Sequence, residues 1–246
     1  MIRDEVSISL ETYTTLLDKE NLGEPHATLG GGELWYSPDE RRGRDVRVLG
    51  ELRRQGLVEG TRVSDDFMDV LAIMQRASVE YYTFAQVVGS PVTIRTAALG
   101  RDAIVIKRMA ATITVAPIPA EQLSVRLAAA LPETPAAQVH SMSCDRADFE
   151  AIVKDKTPQQ SASVRDAKRM KRWLEMERIN AGQLYAGVRD GLGSRRSTQS
   201  PVPTWFDTES GRVILSPSAN GWFNLTGADM MTVVGKLEDL EKELRG

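Results

Sequence analysis

The spacing of apolar positions changes period several times along the chain. Val6, Ile8 and Leu10 alternate with Ser7 and Ser9, which predicts a short strand. A short helix over 12–20 follows and stops at Asn21-Leu22-Gly23. Residues 23–43 are rich in Gly, Pro and charge around an isolated Trp35 and Tyr36, the pattern of a long loop. A helix is predicted over 44–55, with Val48, Leu49 and Leu52 inward. Gly56 is its left-handed cap and Leu57 packs back on it. Ser64 caps the next helix, whose stripe is Phe67, Val70, Leu71 and Met74. From residue 77 the period falls to two. Val79, Tyr81, Thr83, Ala85 and Val87 oppose Glu80, Tyr82, Phe84 and Gln86. Turns at Gly89-Ser90-Pro91 and Gly100-Arg101-Asp102 separate this strand from others at 92–99, 103–107 and 112–116. A helix over 119–131 closes the meander.

The pattern then recurs. Residues 132–135 read as a link, and helices are predicted over 145–154 and 163–179, the second with Ala167, Met170, Trp173 and Leu174 inward. Strands are predicted over 183–190, 205–207, 212–215 and 222–225, with turns at Thr208-Glu209-Ser210-Gly211 and Asn220-Gly221. Residues 194–203 read as a mobile loop. Thr226 is the expected N-cap of a last helix, with Asp229 completing a capping box. Met230, Val233, Val234, Leu237, Leu240 and Leu244 form that helix's apolar stripe. Trp222 and Leu225 are expected in the core, with Met230, Val233 and Leu237 packed over them. The reading is an α+β fold with two halves, 1–135 and 136–246, in a quasi-twofold arrangement. A central antiparallel sheet with helical bundles would join them as one continuous domain.

Composition narrows function by exclusion. The chain has 246 residues, 41% of them hydrophobic, and a net charge of −3. That balance favours neither nucleic acid nor a membrane surface as partner. One cysteine, Cys144, rules out a disulfide framework or a cysteine zinc site. With no signal-like or spanning apolar run, the expected location is cytoplasmic. His26 and His140 fall in separate predicted loops, and the pair His140/Cys144 lacks further ligands. Asp65, Asp66 and Asp69 fit the start of a helix, where carboxylates favour the dipole. Gly30-Gly31-Gly32 and Gly191-Leu192-Gly193 lack the strand-to-helix context of a phosphate cradle. The basic run Lys168, Arg169, Lys171, Arg172 fits a solvated helix face. Residues 51–77 superficially resemble a helix-turn-helix, but with acids opening the second helix. No catalytic residue, metal or cofactor is predicted, and a binding role is favoured. A small-ligand-binding protein and a nucleic-acid-binding regulator are the alternatives.

Several stretches together resemble the EspG family of ESX (type VII) secretion-associated proteins. They are Gly211-Arg212-Val213-Ile214-Leu215-Ser216-Pro217, then Gly221-Trp222-Phe223-Asn224-Leu225-Thr226, then the helix ending Leu237-Glu238-Asp239-Leu240. In the first half, Glu40-Arg41-Arg42, Leu49, Leu52 and Gln55-Gly56-Leu57 lead in the same order towards the strand near Val79. The resemblance implies a quasi-twofold α+β fold and a cytosolic chaperone of an actinobacterial secretion system. Such a chaperone binds the helical tip of the PPE subunit in a PE–PPE heterodimer, and the chain would be a monomer or weak homodimer. The family's contacts come from the sheet, the loop between the first two meander strands and the C-terminal bundle. At segment level these map to Val87, Gly89, Ser90 and Pro91, and to Phe149, Ile152 and Trp173.

Overall fold

The computed structural model describes residues 1–30, 37–60, 62–156, 158–218 and 220–246. The triple glycine in part, and Trp35 and Tyr36, lie outside them. In the first half, β1 (Val6–Ser9), α1 (Leu10–Lys19) and α2 (Pro38–Arg54) lead to a small hairpin of β2 (Val58–Glu59) and β3 (Arg62–Val63). Then come α3 (Asp65–Arg76), the meander β4 (Val79–Val87), β5 (Ser90–Leu99), β6 (Asp102–Met109), β7 (Thr112–Pro119), and α4 (Leu123–Ala129). The second half runs β8 (Met142–Asp145), α5 (Arg146–Val153), α6 (Ala162–Glu175), β9 (Asn180–Arg189), β10 (Arg195–Ser197), β11 (Thr204–Thr208), β12 (Gly211–Pro217), β13 (Trp222–Gly227) and α7 (Met230–Arg245).

One antiparallel sheet crosses both halves in the order β1-β7-β6-β5-β4-β9-β11-β12-β13-β8, with β10 paired beside β9. The order is palindromic about the β4–β9 pair, where Thr83 lies opposite Leu184. Each half contributes an edge strand that leads into helices, α1–α3 in the first half and α5 and α6 in the second, then a meander, then a closing helix. The quasi-twofold reading therefore holds at the level of strand order.

The faces follow from the register, because alternate residues point to opposite sides. Tyr81, Ala85, Ile94, Leu184, Trp205 and Ile214 share one face and form a core with Leu127 of α4 and Val233, Val234, Leu237 and Leu240 of α7. The other face is covered in two places. Over its first-half end, Ile8, Ala97, Ile104, Ile106, Ile113 and Val115 pack with α1–α3. Over its second-half end, Met142, Cys144, Phe206, Val213 and Leu225 pack with α5 and α6.

Both outer strands have their outward N–H groups taken up by helix side chains. Ser9 N–H donates to Glu51 Oε1 at 2.6 Å and Ser7 N–H to Gln55 Oε1 at 3.5 Å. At the far edge, Ser143 N–H donates to Asp166 Oδ2 at 3.3 Å and Asp145 N–H to Ser163 Oγ at 2.9 Å. The parallel extends to the caps: Ser9 caps α1 and Asp145 caps α5.

Several expectations are corrected. The expected loop over 23–43 ends early, because Ser37 and Glu40 form a reciprocal capping box that starts α2 at Pro38. Ser64 sits at the N-cap of α3, but its hydroxyl makes no cap bond. The helix-turn-helix likeness fails, since the β2–β3 hairpin separates α2 from α3. Thr226 is a strand residue opposite Ile214, and Asp229 is the cap, accepting from Thr232 N–H at 2.7 Å. Such a cap is worth about 1 kcal/mol. Residues 194–203 are not a bare loop, because β10 extends the β9 edge there. Trp222 is 37% exposed and Met230 is also exposed, while Trp205 is fully buried. Leu225 is buried, but on the face opposite Val233 and Leu237.

Candidate partner-binding face

Among the described residues, no element covers the second face of the sheet between the two bundles. Its floor is built by the middle strands β4, β5, β9 and β11, and the 26–30 segment walls one side. Phe84, Gln86, Pro91, Thr93, Gln183 and Thr204 line a cavity of about 580 Å³ with Ala27, Thr28 and Gly30. Phe84 is 36% exposed at its centre. Tyr82 and Tyr185 stack with ring centroids 5.0 Å apart, and Phe84 meets both edge-on at 6.0 and 5.7 Å. This packing holds the aromatic floor in place and adds to the area it buries. Arg108 is the one charged side chain among the described lining residues. Its guanidinium is committed to Ala110 O at 3.0 Å and Gly30 O at 2.5 Å. Gly182 faces the opposite side of the sheet, where a Cβ would lie 2.8 Å from Trp205 Nε1 and 2.9 Å from Phe84 O, so glycine there leaves room for the buried Trp205 ring.

One end of this valley is closed by a buried charge cluster. Arg95, 2% exposed, donates through Nε to Glu80 Oε2 at 2.6 Å and through Nη1 to Met74 O at 2.8 Å. Arg195 of β10 reaches the other oxygen, Glu80 Oε1, at 2.7 Å. His26 lies 3.0 Å from Arg195 Nη2 and edge-on to Tyr82 at 5.1 Å. Burial opposes a charged Glu80, but His26, Arg95 and Arg195 together outweigh it and hold the carboxyl far below its ordinary range. Burial is the main reason His26 is pushed down and stays neutral.

The other end is the β4–β5 hairpin. Val87 pairs with Ser90, so Val88-Gly89 is a two-residue turn, with φ of 47° and 76°. Both values are left-handed, as the tight hairpin turn requires. Asparagine or glycine is the usual first residue of such a turn. A β-branched side chain there costs about 1–2 kcal/mol. Val88 is also 78% exposed.

The residues expected to contact a partner separate into two groups. Gly89, Ser90 and Pro91 are exposed at the hairpin, and Val87 is half-buried beside them. Phe149 and Ile152 are buried inside the second bundle, with Phe149 5.1 Å from the Phe223 ring. Trp173 is half-buried on α6. The structure does not bring the two groups together: Phe149 packs beside Phe223 of β13, four strands along the sheet from the hairpin strand β4. Sequence reasoning missed Phe84, Tyr185 and Val88 as site residues. The alternation in β4 already set Phe84 apart from the core face, but nothing local marked it as uncovered.

The remaining candidates are structural. Burial pushes the Cys144 thiol up to about 12, and its sulfur lies 3.4 Å from Met170 Sδ, while His140 is exposed. Among the described residues no group of His, Cys, Asp or Glu is arranged to hold a metal. Lys168, Arg169 and Arg172 are exposed, as a solvated face requires. No helix among the described residues is long and apolar enough to cross a membrane.

Comparison with known proteins gives this architecture a family. The sequence model of the EspG family matches residues 9–239. The chain belongs to the EspG family. No curated protein matches it. Among solved structures, this EspG-family chain is similar to the Mycobacterium tuberculosis type VII secretion system chaperone EspG5, solved in complex with a PE25–PPE41 dimer. The TM-score is 0.72 at 14% identity, covering 98% of this chain and 96% of that one. At that identity the likeness establishes the fold: a quasi-twofold α+β structure around a central antiparallel sheet.

Proposed function

We propose that this protein is a non-catalytic, cytosolic chaperone of a type VII secretion system. Its cargo is the PPE subunit of a PE–PPE heterodimer, bound at its helical tip. The observation that carries this reading is the open valley. Phe84 stands exposed on its charge-poor floor, and the two bundles leave it uncovered on a sheet otherwise packed on both faces. An uncovered apolar surface of this kind marks a partner site. A helical tip with an apolar end fits between the bundles, with Phe84 beneath it and the Val87–Pro91 hairpin beside it. The complex keeps the cargo's apolar end out of water until delivery. Family membership and the shared fold of EspG5, which was solved with a PE–PPE dimer, support the same reading.

Co-expression with PE–PPE pairs encoded near this gene, followed by size-exclusion chromatography, tests it. A 1:1:1 complex is expected, with little dependence on salt because apolar burial drives it. Phe84→Asp is expected to abolish the complex while the protein stays folded with a modestly lowered melting temperature, since Phe84 is 36% exposed but packs edge-on against Tyr82 and Tyr185. Failure of every such pair to bind, with a small molecule raising the melting temperature instead, would replace this reading with the ligand-binding alternative.

A further inference from the structure

A second cavity, of about 250 Å³, lies at the charge cluster, between the 24–27 segment, the end of α3 and the β9–β10 pair. Its charges do not balance. Glu80, Arg95, Arg189 and Arg195 all line it. Glu80 is shared by two of the arginines, Arg95 at Oε2 and Arg195 at Oε1. Arg189 has no carboxylate. Its terminal nitrogens donate only to carbonyls, Nη1 to Gly193 O at 2.7 Å and Nη2 to Gln75 O at 3.4 Å. Its Nε is buried and has no hydrogen-bond partner among the described residues. The neighbouring Asp190 accepts instead from the Leu192 and Ser194 N–H groups, at 3.0 and 2.9 Å. Glu24, the other carboxylate on the cavity wall, is exposed and bonds neither arginine.

The strand register sharpens the imbalance. β10 pairs with β9 over only three residues, and Arg195 stands directly opposite Arg189. Residues directly opposite on paired strands point to the same side, and like charges there repel. A buried N–H without an acceptor adds its own cost. An anion between the two side chains removes both penalties at once. Guanidinium groups match phosphate oxygens with paired N–H donors in a fixed fork. The cavity is smaller than the roughly 300–1,000 Å³ of sites that take drug-sized molecules, so its size suits a small ion.

We propose that this cavity binds a small tetrahedral oxyanion of the phosphate class, bridged by Arg189 and Arg195, and that the bound ion fastens β10 to β9. The site is separate from the partner reading and requires no cargo. What it secures is the connection between β9 and β11, in which β10 lies.

Calorimetric titration of the full chain with inorganic phosphate, at an ionic strength held constant with chloride, tests the proposal. Wild type is expected to bind a single phosphate. Arg189→Gln should raise the Kd about tenfold or more, the loss expected for a hydrogen bond between charged groups. Phosphate should slow amide exchange at Arg195, Arg196 and Ser197 in wild type but not in Arg189→Gln. Acetate should bind more weakly than phosphate, and adenosine monophosphate, too large for the cavity, should not compete. Absence of heat, with no rise in melting temperature beyond that given by chloride, would refute the site. Equal binding by Arg189→Gln would refute its place. Binding without slower exchange in β10 would refute the fastening role. Acetate binding as tightly as phosphate would refute the phosphate class, and competition by adenosine monophosphate would replace the free ion with the phosphoryl group of a larger molecule.

Discussion

Glu80→Gln removes one negative charge from between two guanidinium groups with little change in shape. The Glu80 and Arg95 side chains are 4% and 3% exposed, so solvent screens their interaction little. Arg195 is 33% exposed at its side chain and contributes less. Breaking a buried pair by neutralising one partner costs about 3–5 kcal/mol. Glutamine keeps one acceptor for Arg95, which places the expected loss at the low end, about 3 kcal/mol. For a domain of this size that corresponds to roughly 6–12 °C in melting temperature. The pH dependence supplies an independent check. The folded carboxyl titrates below the ordinary glutamate value of 4.5, so its stabilisation is fully present above that pH and is lost as the pH falls below it. His26 is also depressed, so its contribution falls away as the pH drops below 6.5, in the same direction. Urea unfolding from pH 7.5 to pH 3.5 should show wild type losing stability steadily towards acid, with a flatter limb below pH 4.5 in Glu80→Gln. An unchanged midpoint at pH 7.5, together with an unchanged acid limb, would refute the pairing of Glu80 with Arg95.

Trp205→Ala should cost about 3–5 kcal/mol, because the ring is fully buried between the sheet and α7, whereas Trp222→Ala should cost under about 1 kcal/mol; equal losses in denaturant midpoint would contradict the assigned faces. Gly227→Ala places a Cβ 2.2 Å from Ala137 O, a clash with backbone. Its melting temperature should fall well below that of Gly235→Ala, where nothing lies within 4 Å.

Much of this architecture was legible because the meander strands carry a clean two-residue period and the helices carry apolar stripes. The errors have local physical causes. In β13, Trp222, Asn224 and Thr226 share one face, and Phe223 and Leu225 share the other. Strict alternation thus placed Trp222 on the wetter side, and only its size suggested the core. Thr226 and Asp229 are both capping residue types three positions apart, and the ladder with β12, which runs to Gly227, decides for Asp229. β8 has little pattern of its own. It is a strand because β13 pairs with it and α6 takes up its free N–H groups. The valley was the least legible part, since residues 84, 91, 183 and 204 meet only after the two meanders join at β4 and β9. Val88 was hidden by the stronger turn signal of the Gly-Ser-Pro that follows it.

The treatment of the two outer strands has a consequence for how such a molecule survives its task. An open sheet margin is a template on which another extended chain can grow, and a protein that handles adhesive cargo meets many such chains. Here Glu51 and Gln55 occupy the hydrogen-bonding sites on one margin, and Ser163 and Asp166 occupy them on the other. Neither end is left as a seed for stacking copies of this chain or for trapping partly unfolded clients. Contact with a partner is thereby directed to the broad side of the sheet, where Phe84 stands exposed.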